Sequence, residues 1–377
     1  MASTWAGLDV EQFRVAAADW LARHSAGAPG DYGAIVPEAQ LGPARAWQRS
    51  LARAGLVGLH WPPAWGGQGL TPGHTAAWLE ECARAGVPPF LNMVGLVLTA
   101  EALLAYGTDD QRATHLPALR TGERLWCQLF SEPDAGSDLA AVRTRARRSG
   151  DGWVLEGEKV WTSNGHVADW GICLARTDPV GRAHAGLSFF LVDMRAPGVE
   201  VRPIRQITGA AEFDQVAFGA VHLPAAGLLG EEGAGWRVAM STLTHERTHI
   251  GASAVRLRLR ADGMAADLAT ATVGPVGADR AAGQWAASRA LAALGAQQER
   301  LGPAAASLMK LGVARQTVAA SRAAADRSAA ALLDGPAAAE LLGAVAGEIA
   351  GGTTQVQKTI IGERLLGLPR EPAPAGR

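Results

Sequence analysis

The chain has 377 residues, 48% of them hydrophobic and 19% charged, with a formal net charge of -1. That length exceeds one ordinary domain and allows two or three packed units, while the near-zero charge offers nucleic acid or an anionic membrane no electrostatic attraction. No apolar run approaches the ~20 residues that span a bilayer. The first ten residues lack the basic-then-apolar pattern of a secretion signal. Three widely spaced cysteines, Cys82, Cys127 and Cys173, argue against a disulfide framework, so a reducing, cytoplasmic location is expected.

Residues 1–120 read as a helical domain. Apolar residues recur at helical spacing over 10–25, 37–54, 76–85 and 93–106, with proline and glycine clusters between them. The stretch 65–72 is a loop, because its three glycines and terminal proline suit neither a helix nor a strand interior. From 121 to 232 the texture changes to short β-branched or aromatic runs at 153–156, 171–175, 187–193 and 199–202, closed by 213–224. Strands so closely spaced, with no helix between them, predict an antiparallel barrel or sandwich.

Beyond 233 the sequence returns to helix. Candidates at 236–259, 280–294, 304–333 and 337–366, the last broken at Gly351-Gly352, predict a four-helix bundle over 233–368. Residues 369–377, with three prolines, form a loose tail. The fold class is therefore α+β, with a helical N-terminal domain, a central β-domain and a C-terminal bundle.

No G-x-G-x-x-G follows a strand and no P-loop occurs, which removes the common nucleotide folds. Two other stretches carry chemistry. In 126–139, Trp-Cys-Gln-Leu-Phe-Ser-Glu-Pro-Asp-Ala-Gly-Ser-Asp-Leu, a strand runs into a turn that exposes backbone N–H groups and the hydroxyls of Ser131 and Ser137. On local chemistry alone this is equally an ordinary capped turn. In 157–165, Gly-Glu-Lys-Val-Trp-Thr-Ser-Asn-Gly, an indole and two hydroxyls are offered together, suited to a planar heterocycle; a strand tryptophan by itself is more often core.

With these motifs, and with 65–70, 106–111, 235–236 and 352–370 in matching order, the chain resembles the FAD-dependent acyl-CoA dehydrogenases over nearly its whole length. The resemblance implies that Phe130, Ser131 and Ser137 line the flavin and thioester pocket, with Ser131 on the isoalloxazine and Ser137 near acyl-CoA. It places Trp161 and Ser163 against the flavin and assigns Thr353 and Gln355 to the cofactor. The family's reaction takes a proton from the carbon next to the thioester and passes a hydride from the next carbon to flavin N5, with an electron-transfer flavoprotein as the expected acceptor.

A carboxylate base is required. Many family members carry it immediately before the C-terminal Gly-Thr, a place held here by Gly351. Others carry it on the first bundle helix directly before an arginine, and Glu246-Arg247 matches that placement. Glu246 is therefore the expected base, with Arg247 assigned to the substrate side; a solvated glutamate and a structural arginine remain the plain readings. His245-Glu246-x-x-His249 also fits the short zinc-hydrolase pattern, but no Gly-x-x-His follows to supply a third ligand, so no metal is expected.

Two elements of the family are missing. No Arg-x-x-Phe-Gly occurs over 261–286, and 332–341 stands where Gln-x-x-Gly-Gly-x-Gly-Tyr is usual. In the family both reach FAD across a subunit interface. Losing that guanidinium forfeits a charge-assisted bond to the pyrophosphate. The expectation is a hetero-oligomer in which a related subunit supplies the pyrophosphate contacts. A non-catalytic partner subunit and a family oxidase or oxygenase stay open as alternatives. The acyl group is not set by the sequence, although the small residues 251–254 leave room for a bulky one.

Overall fold

The computed structural model describes residues 5–179, 184–248, 250–270, 275–297, 304–327 and 336–370; of these, the side chains at 244–248, 250–254, 264, 267–270, 296, 304, 327, 336 and 337 are not described. The chain divides into two units, Met1–His245 and Glu246–Arg377.

The first unit begins with five helices. Helix α1 (Val10–His24) starts in a capping box, where the Asp9 carboxylate accepts from the Glu11 and Gln12 amides and Gln12 reaches back to the Asp9 N–H. Its buried face is Phe13, Ala17 and Leu21, spaced by one turn. Helix α2 (Leu41–Arg53) buries Trp47 and Leu51, and α3 (Pro72–Ala85) begins on a proline and stops at Gly86, where φ of 67° takes the left-handed turn. A buried π-helical segment (Val94–Thr99) runs into α4 (Ala100–Tyr106), and Thr108 caps α5 (Asp109–Thr121). Trp47, Trp61, Trp78 and Trp126 fill the core these helices share with one face of the sheet.

Seven strands follow: β1 (Trp126–Leu129), β2 (Arg145–Ser149), β3 (Gly152–Ser163), β4 (Trp170–Arg176), β5 (Leu187–Asp193), β6 (Val199–Ile204) and β7 (Phe213–Leu223). They form one sheet in the order β1-β4-β2-β3-β7-β6, with β5 on the other side of β4. The helix–sheet–helix order read from the sequence is the one observed. In detail the sheet is mixed: β1 and β4 are parallel, because the chain leaves β1 through a long loop and the β2–β3 hairpin before returning. β7 pairs with β3 and β6 in the interior of the sheet.

Helix α6 (Gly235–Thr248) leaves the sheet and crosses the boundary of the two units. In the second unit α7 (Ile250–Thr270), α8 (Pro275–Ala296) and α9 (Ala304–Arg327) pack on one another through Leu257, Leu291, Met309 and Val313. The alanine-rich composition serves this close approach; a Cβ on Gly312 would stand 2.3 Å from Leu291 Cδ2. Helix α10 (Pro336–Ala344) and α11 (Thr354–Ile360) pack on α9, and between them lies the break read from the sequence, at Gly351 (φ 63°) and Gly352 (φ 90°). Lys310 Nζ holds that turn by donating to the carbonyls of Gly347 (3.0 Å) and Gly352 (2.7 Å). Helix α7 continues through 261–270, further than the periodicity indicated. No described helix is long and apolar enough to cross a membrane.

Candidate functional site

The two chemistry-bearing stretches, 126–139 and 157–165, are tied together just beyond the end of β1. Strand alternation puts Trp153, Leu155 and Lys159 on the inner face of β3, and continued period-two alternation would put Trp161 there too. A bulge prevents it. Lys159 pairs with Val216 but Thr162 pairs with Asp214, so β3 carries one extra residue, and Trp161 takes it up in the left-handed region at φ 60°. Thr162 is turned inward and Trp161 is turned out, 57% exposed, its ring edge-on to Phe213. The Val160 N–H, beside the bulge, donates instead to the Ser131 carbonyl at 2.9 Å. Ser131, Trp161 and Ser163 are thereby brought to one end of the sheet.

Beneath them lies a buried ion pair. Lys159 is fully buried, and its three ammonium protons are matched by three acceptors: Phe130 O (3.0 Å), Leu174 O (2.8 Å) and Glu132 Oε1 (2.8 Å). Glu132 in turn accepts from the Arg143 and Thr144 amides at 2.6 and 2.9 Å. Burial pushes the Glu132 carboxyl up, but the Lys159 charge and the hydrogen bonds from Lys159, Thr144 and Arg143 outweigh it and hold the carboxyl below its usual range. A buried pair persists only when its remaining hydrogen-bonding capacity is met, and here it is. Reasoning on the sequence singled out the exposed-type residues of both motifs and passed over Glu132 and Lys159. The signal was a charged residue at an inward position of each motif.

The other candidates are placed as follows. Phe130 is 5% exposed, its ring edge-on to Phe189. Ser137 is exposed, just beyond the tight turn in which Glu132 and Ala135 exchange backbone hydrogen bonds. Thr353 caps α11, its hydroxyl accepting from the Val356 amide, and Gln355 on the same helix is exposed; both belong to the second unit. Glu246 and Arg247 lie on α6, and their side chains, with those of His245 and His249, are outside the described residues. Among the described residues no cluster of three or more His, Cys, Asp or Glu could hold a metal ion. All three cysteines are buried, and burial pushes the Cys173 thiol up to about 11, which disfavours thiolate chemistry there.

An outward indole with neighbouring hydroxyls, on strands rooted by a buried ion pair, can take a planar polar heterocycle. Residues 9–123 match the acyl-CoA dehydrogenase N-terminal domain and residues 127–221 the acyl-CoA dehydrogenase middle domain, together more than half of the chain. The chain belongs to the acyl-CoA dehydrogenase family. Acyl-CoA dehydrogenase IpdE1 of Mycobacterium tuberculosis is 46% identical over 248 residues, covering 63% of each chain. Acyl-CoA dehydrogenase FadE34 of the same organism is 39% identical over 355 residues, 92% of this chain and 49% of the relative. The chain thus spans just under two thirds of the first relative's length and about half of the second's. Among solved structures, the Tcur3481-Tcur3483 steroid ACAD matches with a TM-score of 0.80 at 25% identity, covering 96% of this chain and 97% of that one. The ChsE4-ChsE5 complex from Mycobacterium tuberculosis matches with a TM-score of 0.80 at 28% identity, covering 96% and 98%.

Proposed function

We propose that this family member is an FAD-dependent acyl-CoA dehydrogenase that introduces an α,β double bond into an acyl thioester. The observation that carries the reading is the left-handed bulge that turns Trp161 outward beside Ser131. A non-glycine residue in that region costs backbone energy, and an exposed indole forgoes burial, so a ligand face accounts for both. Ser131 would hydrogen-bond the isoalloxazine, Trp161 and Ser163 would lie against it with Phe130 lining the pocket, and the family resemblance assigns Thr353 and Gln355 to the cofactor. FAD, when bound, supplies the hydride acceptor at its N5.

Glu246 is assigned the α-proton. A thioester α-proton is weakly acidic, so the carboxylate must work in a water-poor pocket that raises its basicity while the adjacent cation of Arg247 keeps it ionised near neutrality. Gly351 supports this assignment by leaving no carboxylate before Gly352-Thr353. Ser137 and Arg247 fall on the substrate side. The organisation we propose is three domains, 1–120, 121–232 and 233–368, followed by the tail 369–377, with an electron-transfer flavoprotein as acceptor.

The missing pyrophosphate elements, together with two structural relatives that each carry a pair of names, support a hetero-oligomer with a related subunit. Reconstitution tests it. Adding an acyl-CoA thioester to the complex should bleach the flavin absorbance, and Glu246→Gln should slow that bleaching about 10³-fold, in the range of a lost general base. Full activity of Glu246→Ala would instead make this chain the non-catalytic partner. Full flavin occupancy and activity of the lone chain would sink the heteromer, and direct consumption of dioxygen on reoxidation would favour an oxidase.

A further inference from the structure

The strap that carries Trp161 contains a second left-handed residue. Asn164 has φ 54°, three positions after Trp161 at φ 60°. Asparagine enters that region readily, but a tryptophan does so only where its surroundings over-determine it. Three contacts hold the strap. The Asn164 N–H donates to Glu212 O at 2.9 Å, and its side-chain Nδ2 donates to Val36 O at 3.0 Å. The third contact is Asp214, whose Oδ2 accepts both the backbone N–H of His166 (3.0 Å) and its ring Nδ1–H (2.9 Å). Gly165 lies between, where a Cβ would stand 3.1 Å from Asp214 Oδ2 and 3.1 Å from Thr162 Cγ2.

Asp214 is fully buried and pairs across the ladder with Thr162, which is also fully buried. Among the described residues, Asp214 Oδ1 and Thr162 Oγ1 have no hydrogen-bond partner. A buried carboxylate with one oxygen unmatched destabilises the fold relative to a small apolar residue in the same place. Its other oxygen, Oδ2, is engaged by the two bonds to His166.

We propose that Asp214 is a positioning residue: through His166 it holds residues 161–165 in their left-handed form and so keeps the Trp161 indole and Ser163 presented at the site. The consequence for cofactor binding rests on the flavin reading given above; the consequence for the strap does not.

Hydrogen exchange of the full chain and FAD titration of the chain with its partner subunit test the two parts separately. Asp214→Ala should speed exchange of the 164–167 amides about tenfold or more while the β4–β5 amides keep their protection. Asp214→Asn retains an acceptor oxygen and should stay within about threefold of the native rate. The FAD dissociation constant should rise about tenfold in Asp214→Ala and recover in Asp214→Asn. If Asp214→Ala fails to fold, His166→Ala removes the ring contact alone and should speed the same amides. Unchanged strap exchange in a folded variant overturns the proposal, as does a rise spread evenly over the sheet, which would mark a merely structural role. A loosened strap with unaltered FAD affinity overturns the presentation of Trp161. Absence of FAD binding by the native complex would refute the flavin reading, and exchange would then decide the strap by itself.

Discussion

Lys159 Nζ lies 2.8 Å from Glu132 Oε1, with the lysine fully buried. The pair joins the loop after β1 to β3, and the remaining two ammonium protons go to carbonyls of β4 and of that same loop. Removing one partner strands the other charge in a low-dielectric core. Lys159→Met should therefore cost about 3–5 kcal/mol in denaturant unfolding. Lys159→Met combined with Glu132→Gln should recover part of that loss, and a double-mutant cycle reads the coupling directly.

The Trp161 bulge separates stability from binding. Trp161→Gly replaces a strained residue with one that adopts φ 60° freely and loses an edge contact with Phe213 from a ring that is already 57% exposed. Its unfolding free energy should stay within about 1 kcal/mol of the native chain. FAD affinity should fall about tenfold, for want of an aromatic face of the kind that contributes about 0.5–1.5 kcal/mol or more. A large loss of stability with unchanged flavin affinity would reverse the reading.

Acid sensitivity has an identifiable source. His115 is buried edge-on against the stacked pair Trp126 and Trp170, and burial, with the Arg124 charge, lowers its pKa to about 4. An unfolded histidine titrates near 6.5. Between those values the unfolded chain binds more protons, so stability falls as pH drops from about 6.5 to about 4 and this contribution then levels off. Glu132, held below its usual range, contributes stability above the unfolded carboxyl pKa of about 4.3 that is lost as pH falls through its folded value. His115→Phe should flatten the melting temperature against pH between about 4 and 6.5 and leave the lower, carboxylate limb in place.

Placement of the base can be tested by moving it. Gly351 is exposed at φ 63°, and the family resemblance makes it the alternative place for the base. Glu246→Gln with Gly351→Glu should regain about tenfold of the bleaching rate lost in Glu246→Gln, at a backbone cost of about 1–2 kcal/mol for a side chain in the left-handed region. No regain, in a folded protein that binds FAD, would tie the chemistry to the α6 position.

Much of this protein was legible in its sequence because the determinants are local. Helical periodicity, proline and glycine clusters between the periodic segments, and short β-branched runs bounded by turns gave the order of helices, sheet and helices. The break at Gly351-Gly352 was legible for the same reason, since glycine supplies the positive φ that the turn requires. The motifs around Ser131 and Trp161 were also readable as two separate offers of hydroxyl and indole. The family resemblance put both on one flavin, but the contact that joins them was not legible in spacing. Period-two alternation sends Trp161 inward, and only the cross-strand register, with one extra residue in β3 and the Val160 N–H taken by Ser131, turns it out. The Lys159–Glu132 pair and the Asp214–His166 contact likewise depend on which strands become neighbours. Sequence spacing fixes the period of a strand, but pairing partners, and with them the inside and outside of a bulge, are set by long-range packing that tertiary structure alone decides.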